Sequence, residues 1–350
     1  MKIGSVNLPS PFAIAPMAGM TDTAFRRLVK RHGGCGLVVT EMVSSEGLIR
    51  GIGRTLEYTE YTEEERPVSI QIFGGDPDRM AAAARVVESI GADIVDVNMG
   101  CPVPKIAKSN AGCRLMREPR HAAAVVAAMA RAVRIPVTVK MRAGWNAEEV
   151  TAPALAAMLE DAGAAAIAVH GRTAAQSYSG LSDWNLIARV AEAVRIPVLG
   201  NGDCNEPGDA LARLRASGVG GVLIGRGVLR NPWIFAQAAD MAAGRPPRAI
   251  ALADRGKFLL DYIDLLLDER VREPEGFRHR VGRADQRGSE DGPSPARGHE
   301  RWVINKIRAL AAWFTRGLEG GGNLRAVINR SDSLGELRER IGQFFDPAVA

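Results

Sequence analysis

The sequence predicts a (β/α)8 barrel over roughly its first 240 residues, followed by a small C-terminal helical domain. Three observations carry that expectation. Eight short β-branched runs alternate with stretches of helix-forming composition, the pattern of a parallel sheet covered by helices. The runs end in chemically distinctive residues, as strands converging on one barrel mouth do. The hexapeptide AVRIPV also occurs twice, at Ala132–Val137 and Ala193–Val198, each time closing a helix and opening a strand, as βα units built to one plan would.

The runs are, in order, FAIAPM, GLVVTEM, PVSIQIFG, ADIVDVNMG, PVTVKMRAG, AAIAVHGRT, PVLGNGD and GVLIGRG. Between them Asp78–Ile90, Ala122–Val133, Ala147–Ala162 and Trp184–Val194 place apolar residues at i, i+3 and i+4. Eight such units in about 230 residues fit a closed barrel better than an open doubly wound sheet. From about Ile250 the rhythm changes. DRGKFLLDYIDLLLDER (Asp254–Arg270) reads as an amphipathic helix. Arg272–His299 then holds only Phe277 and Val281 as large apolar residues among many Gly, Pro and charges, which predicts a disordered excursion or a long loop. Helical pattern resumes at Arg301. The division expected is a barrel over 1–240 and a helical domain over 250–350, with 272–299 disordered.

Bulk properties narrow the function. The 350 residues are 46% hydrophobic and 24% charged, enough for a large core. A net charge of +5 and a pI near 9.2 are compatible with a polyanionic partner. Cys35, Cys101, Cys113 and Cys204 are scattered without a CxxC pair, so no metal site is expected, and the usage suits a reducing cytoplasm. Pro and Gly break every apolar run of the first twenty residues, which excludes a signal peptide there, and no window approaches the ~18 apolar residues of a membrane span. A cytoplasmic monomer without membrane or metal is the expectation.

The predicted strand ends present Met17-Ala18-Gly19, Glu41, Gln71, Asn98 with Cys101, Lys140 with Arg142, His170 with Arg172, Asn201-Gly202-Asp203 and Gly225-Arg226. Loops collect Gly and Asn as turn residues in any protein. That does not account for a lysine, a histidine, a glutamine and two arginines in or just after apolar strands. The turns NGD and GRG occupy the position where barrels seat a phosphate, and Arg226 adds a forked cation. Lys140, in a buried strand, needs an anionic or acceptor partner. A ligand carbonyl or the reduced N1 of a flavin would serve, and so would Glu41 or Asp203 inside the barrel. Gln71 suits a ring edge. His170 suits ring or phosphate oxygens, against the alternative of a core histidine satisfied by backbone. No GxGxxG follows the first strand, so a ligand with one phosphate is expected rather than a dinucleotide.

Taken in order, APMAGMTD (Ala15–Asp22), EM (Glu41-Met42), NMGCPVPK (Asn98–Lys105), KMRAGW (Lys140–Trp145), HGRT (His170–Thr173) and NGD…GRG resemble the flavin-dependent tRNA-dihydrouridine synthases, and the bacterial B-type branch above all. The resemblance runs from about Met1 to Ala239 and resumes more weakly near the C-terminus. It implies an FMN-binding TIM barrel followed by a helical domain that grips tRNA. It implies that Pro16, Met17 and Ala18 pack around the isoalloxazine, that Gln71, Lys140 and His170 contact the ring or ribityl chain, and that Asn201, Gly202, Asp203, Gly225 and Arg226 hold the ribityl and phosphate end. The implied reaction reduces the C5=C6 bond of D-loop uridines to 5,6-dihydrouridine. FMN, itself reduced by NADPH or NADH, gives a hydride to C6, and Cys101 gives the proton to C5 from the opposite face. Asn98, Lys105, Arg142, Arg172 and Arg308 fall on the substrate side.

A thiol is mostly protonated near neutral pH and so is able to donate, and Gly100 and Pro102 would fix its loop. The ordinary alternative for Cys101 is a small buried structural thiol. Cys113 reads as packing. A stacked uracil cannot enter a barrel mouth, so it must be extruded at a cost of roughly a few kcal/mol, offset by phosphate contacts. Between Arg301 and Arg330 six basic residues (Arg301, Lys306, Arg308, Arg316, Arg325, Arg330) stand against one acid, Glu319, with Trp302 and Trp313 interleaved. That fits an RNA-gripping surface, or a solvated helix face with its tryptophans in the core. One departure stands out. Related sequences carry Arg-Lys-His before the tryptophan of this helix, whereas Arg308-Ala309-Leu310 precedes Trp313 here. Two other functions stay open: an FMN oxidoreductase acting on a free pyrimidine, and an RNA-binding or regulatory protein with a vestigial flavin site.

Overall fold

The structure, a computed structural model, describes residues 1–107, 110–268, 273–279 and 295–345. Eight parallel strands form a barrel: β1 (Phe12–Ile14), β2 (Val38–Val39), β3 (Val68–Phe73), β4 (Ile94–Met99), β5 (Val137–Arg142), β6 (Ala166–His170), β7 (Val198–Asn201) and β8 (Gly221–Ile224). They are the eight runs read from the sequence. β8 returns to β1 through Val222↔Phe12, Leu223↔Ala13 and Ile224↔Ile14, and the bridge Ala13↔Leu37 joins β1 to the segment entering β2. A short extra strand, Val43–Ser44, pairs with the end of β3.

Strands buried on both faces are near-continuously apolar, and β4 and β6 are buried at every position. The outer ring comprises α1 (Thr23–His32), α2 (Ser45–Ile49), α3 (Pro77–Ser89), α4 (Pro119–Ala132), α5 (Ala152–Asp161), α6 (Trp184–Ala193), α7 (Pro207–Ala216) and α8 (Ile234–Ala242). Their starts are encoded locally. The carboxylates of Asp22, Asp76 and Asp183 accept from the Phe25, Arg79 and Leu186 amides and cap α1, α3 and α6. Proline opens α3, α4, α5 and α7, where its missing N–H costs nothing. An antiparallel hairpin, Lys2–Ile3 against Val6–Asn7, puts Ile3 and Leu8 into the inner cluster with Ala13, Ile94, Leu199 and Leu223.

Four further helices follow: α9 (Leu252–Asp268), α10 (Pro295–Phe314), α11 (Gly321–Arg330) and α12 (Leu334–Phe345). Their apolar faces share one core with the barrel's outer layer. Phe258 and Tyr262 of α9 meet Phe25 of α1 edge to face, and the Tyr262 hydroxyl donates to Asp22 at 2.7 Å. α10 sends Lys306 across to the barrel mouth, where its ammonium lies 3.0 Å from the Gly19 carbonyl, 2.9 Å from Asp22 and 3.7 Å from Glu41.

Of the 272–299 stretch, expected to be disordered or a long loop, residues 273–279 and 295–299 are described. Arg278–His279 pairs antiparallel with Tyr61–Thr62, His279 stacks on Tyr61, and Glu273 ties Arg27 to Arg278. These anchors are charges and one ring rather than a wide apolar face, so the composition hid them. Residues 295–299 belong to the start of α10. The remainder, residue 272 and residues 280–294, lies outside the described residues.

Candidate active site

The C-terminal ends of the strands enclose a cavity of about 680 Å³, within the range of roughly 300–1,000 Å³ usual for cofactor and ligand sites. Pro16, Met17 and Ala18 form its wall after β1, Gln71 on β3, Asn98 on β4 with Cys101 just after it, and Lys140 and Arg142 on β5. His170, Asn201-Gly202-Asp203 and Gly225-Arg226 complete it. Separate strand ends thus bring these predicted residues to one surface. Two others do not line it. Arg172 is buried and turned aside, its guanidinium 2.8 Å from both Asp203 oxygens and 2.6 Å from the Gly180 carbonyl. Arg308 spends its guanidinium on the Ser331 and Ile328 carbonyls at 2.9 and 3.4 Å. The Lys105 side chain lies outside the described residues.

The loop carrying Cys101 is held from three directions. The Asn98 side-chain oxygen accepts from the Gly100 and Cys101 amides at 3.2 and 2.9 Å. The Arg142 Nε donates to the Gly100 carbonyl at 2.8 Å, while its Nη1 donates to the Thr173 and Ser177 carbonyls. The Cys113 amide donates to the Cys101 carbonyl at 3.1 Å. Gly112 is required beside it: its φ is +61, and a Cβ there would stand 2.7 Å from the Cys101 carbonyl oxygen. The Cys101 side chain is half-buried against the cavity, whereas Cys113 is fully buried packing.

Lys140 projects from the middle of β5. Among the described residues nothing accepts a hydrogen bond from its ammonium, and its pKa falls from the ordinary 10.5 to about 8, through burial first and the Arg142 charge second, with Asp96 pulling the other way. Pairing with Glu41 or Asp203 is not found. Glu41 accepts from the Gly19 amide at 2.5 Å and faces Lys306, and Asp203 is engaged by Arg172 and Arg226.

Burial, then Lys140, Arg142, Arg172 and Arg226, push the His170 pKa far below the ordinary 6.5, so the imidazole is neutral. Arg172 Nη1 lies 3.3 Å from its Nε2; a guanidinium only donates, so the ring proton belongs on Nδ1. The Asp203 carboxyl sits below the usual range: burial acts against this, but the Ser182 amide and Arg172 prevail. With Lys140, Arg142 and Arg226 set against Asp203, the cavity favours an anionic ligand group.

Three residues of the site escaped the sequence reading. Asp96 and Thr138 lie beneath the cavity floor, hydrogen-bonded to each other at 2.6 Å. An acid inside the apolar run ADIVDV was a visible signal. Tyr178, between Arg142 and Arg226, lines the cavity with no local pattern to announce it, and Trp313 of α10, read from the sequence only as part of the basic tail, lines it too.

Comparison with known proteins agrees with this geometry. The family description dihydrouridine synthase (Dus) matches residues 13–287. A probable tRNA-dihydrouridine synthase of Rickettsia typhi is 35% identical over 348 residues, covering 99% of this chain and 97% of that protein. The tRNA-dihydrouridine synthase B of Xanthomonas campestris is 35% identical over 353 residues, covering 100% and 97%. A probable tRNA-dihydrouridine synthase of Mycobacterium tuberculosis is 38% identical over 355 residues, covering 97% and 84%. Among solved structures, 2-naphthoyl-CoA reductase (TM-score 0.54, 14% identity, 70% of this chain and 52% of that one) shares the fold. So does histamine dehydrogenase (TM-score 0.53, 14% identity, 76% and 50%). A match over nearly all of the barrel and the start of the tail, joined to relatives alike over almost their full length, shows that this chain belongs to the dihydrouridine synthase family.

Proposed function

We propose that this protein holds FMN in the barrel mouth and, with NADPH or NADH as reductant, reduces the C5=C6 bond of D-loop uridines in tRNA to 5,6-dihydrouridine. The observation that carries this reading is the half-buried Cys101 on one cavity wall with Lys140, His170 and the NGD and GRG turns. The residues fit a flavin. Pro16, Met17 and Ala18 offer an apolar face, Lys140 has an ammonium with no acceptor among the described residues, and the two glycine turns with Arg226 suit a phosphate. Bound there, the flavin supplies the hydride.

The chain supplies the rest. Lys140 and the Nδ1–H of neutral His170 line the cavity and would offer a bound flavin positive charge and a donor. Arg142 and Asn98 fix the Gly100-Cys101 backbone, so the thiol keeps one position from turnover to turnover. Cys101 donates its proton as charge develops at C5. The thiolate left behind lies in the field of Lys140 and Arg142, both of which interact electrostatically with it. Arg172 enters by orienting Asp203 and His170, and Arg308 by bracing α10 against the segment after α11.

The substrate is a polyanion. Trp302 is exposed on α10, and Trp313 of the same helix reaches the cavity, so one element joins the basic tail to the site. No helix among the described residues is long and apolar enough to cross a membrane. On this reading the protein works as a metal-free cytoplasmic monomer.

The test is purification with its bound cofactor, then dihydrouridine formation in unmodified tRNA with NADPH and with NADH, for wild type and Cys101→Ala. Both proteins should be yellow with FMN, and only the variant should lose turnover. Normal tRNA reduction by Cys101→Ala refutes the donor assignment.

A further inference from the structure

Beneath the cavity the wall residues are joined by hydrogen bonds that all run in one sense. The Gly100 and Cys101 amides donate to Asn98 Oδ1, Asn98 Nδ2 donates to Gln71 Oε1 at 2.7 Å, and Gln71 Nε2 donates to Asp96 Oδ2 at 2.7 Å. Thr138 donates to the other Asp96 oxygen at 2.6 Å. Every donor points toward Asp96, which is 5% exposed.

The chemistry of the ends explains why. A carboxylate only accepts, whereas a carboxamide has one donor end and one acceptor end. Asp96 therefore selects the orientation of the Gln71 amide. Gln71 selects that of Asn98, whose oxygen is then turned to the amides of the Cys101 loop. The reverse orientation would set an NH2 group against backbone N–H groups, donor against donor. A carboxamide at position 96, able to donate or accept, would leave both orientations open.

We propose that Asp96 is a positioning residue of the reaction, fixing the loop that carries the proton donor by way of Gln71 and Asn98. This rests on the reading of Cys101 as that donor. Burial raises the Asp96 pKa, but the bonds from Thr138 and Gln71 and the nearby Lys140 charge favour the ionised, acceptor-only form. Asp96 also makes β4 an exception to its own pattern: one acid in a strand buried throughout, where an unsatisfied carboxylate would be costly. Two donors satisfy it, and one of them leads to the site.

The test uses the flavin-loaded enzyme and three measurements. Stopped-flow spectroscopy separates reduction of the flavin by NADPH from its reoxidation by unmodified tRNA. Iodoacetamide alkylation, followed by peptide mass spectrometry, reports on the loop itself, because Cys35, Cys113 and Cys204 are buried and Cys101 is partly exposed. In Asp96→Asn, reduction by NADPH should keep its wild-type rate while reoxidation slows about tenfold or more, given that a 1 Å misplacement costs on the order of a hundredfold. Alkylation of Cys101 should accelerate several-fold as the loop loosens. Asp96→Ala should exceed Asp96→Asn in both effects; if it does not fold, Asp96→Asn decides alone. Wild-type reoxidation and alkylation in Asp96→Asn overturn the proposal. Equal slowing of both half-reactions overturns it as well, marking a merely structural role. If Cys101→Ala retains full turnover, the donor assignment fails instead, and the two failures are told apart.

Discussion

Replacing Lys140 by methionine, close in volume but uncharged, separates what this residue costs the fold from what it gives a ligand. Its ammonium finds no acceptor among the described residues, and its pKa is displaced from 10.5 to about 8 by burial and then Arg142. At 1.36 kcal/mol per tenfold, that displacement is a cost of about 3 kcal/mol for keeping the charge in the flavin-free protein, with the Asp96 attraction already included. The sign follows from linkage. The folded state holds this proton less tightly than the unfolded chain, so the cost is complete below about pH 8 and shrinks as pH rises from there toward 10.5. Unfolding entropy of about 2.1 cal/mol/K per residue over 350 residues turns 3 kcal/mol into roughly 4 °C. By scanning calorimetry at pH 7, flavin-free Lys140→Met should therefore melt above flavin-free wild type by up to about that amount. Its advantage should narrow at pH 9. In loaded enzyme the order should reverse, because methionine offers the ring neither charge nor donor, and the variant should release flavin more readily. A flavin-free Lys140→Met that melts below wild type at pH 7 would show that the ammonium is satisfied without a ligand and refute the reasoning.

Two further expectations concern neighbouring charges. Lys306→Met leaves Asp22 and Glu41 facing each other at nearly buried positions without their cation, a loss of about 3 kcal/mol, and adding Glu41→Gln should recover part of it; an unchanged melting temperature would show that the contact contributes nothing. Asp203 has a folded pKa below its unfolded one, so its stabilisation is present above the unfolded value of about 3.9 and is lost as pH falls through the folded value. Asp203→Asn should accordingly be less stable at pH 7 and lose less on acidification, read by circular dichroism; an acid transition identical to wild type would place the loss elsewhere.

Much of this was legible in the sequence, for a physical reason. A strand of a closed barrel is apolar because both its faces are buried, so Lys140 and His170 within such strands stood out as candidates for the mouth, and only the structure removed the pairing of Lys140 with Glu41 or Asp203. What the sequence concealed depends on contacts across long separations. Trp313 lines the cavity because α10 packs across the barrel mouth, and nothing near position 313 encodes that contact. Arg172 stands at a strand end as expected, yet Asp203 on the next turn captures it. Spacing places a side chain at the rim but does not say which way it turns. The anchors of residues 273–279 were not legible because they are ion pairs and a stacked imidazole, which composition scores as solvent-loving. Asp96 was the one avoidable omission, since a lone acid inside a buried strand requires an explanation.

Gly19 lies two residues past Met17 in the loop that walls the cavity, and both sides of its peptide framework are spoken for. Its amide is clasped by Glu41 and its carbonyl by Lys306 from α10. This segment of the cavity wall thus has little slack of its own, and its shape is set partly by a helix of the tail. A macromolecule that shifts α10 tugs directly on that segment, and a ligand that reshapes the segment tugs back with equal free energy. The barrel mouth and the tail thus share a joint one residue wide.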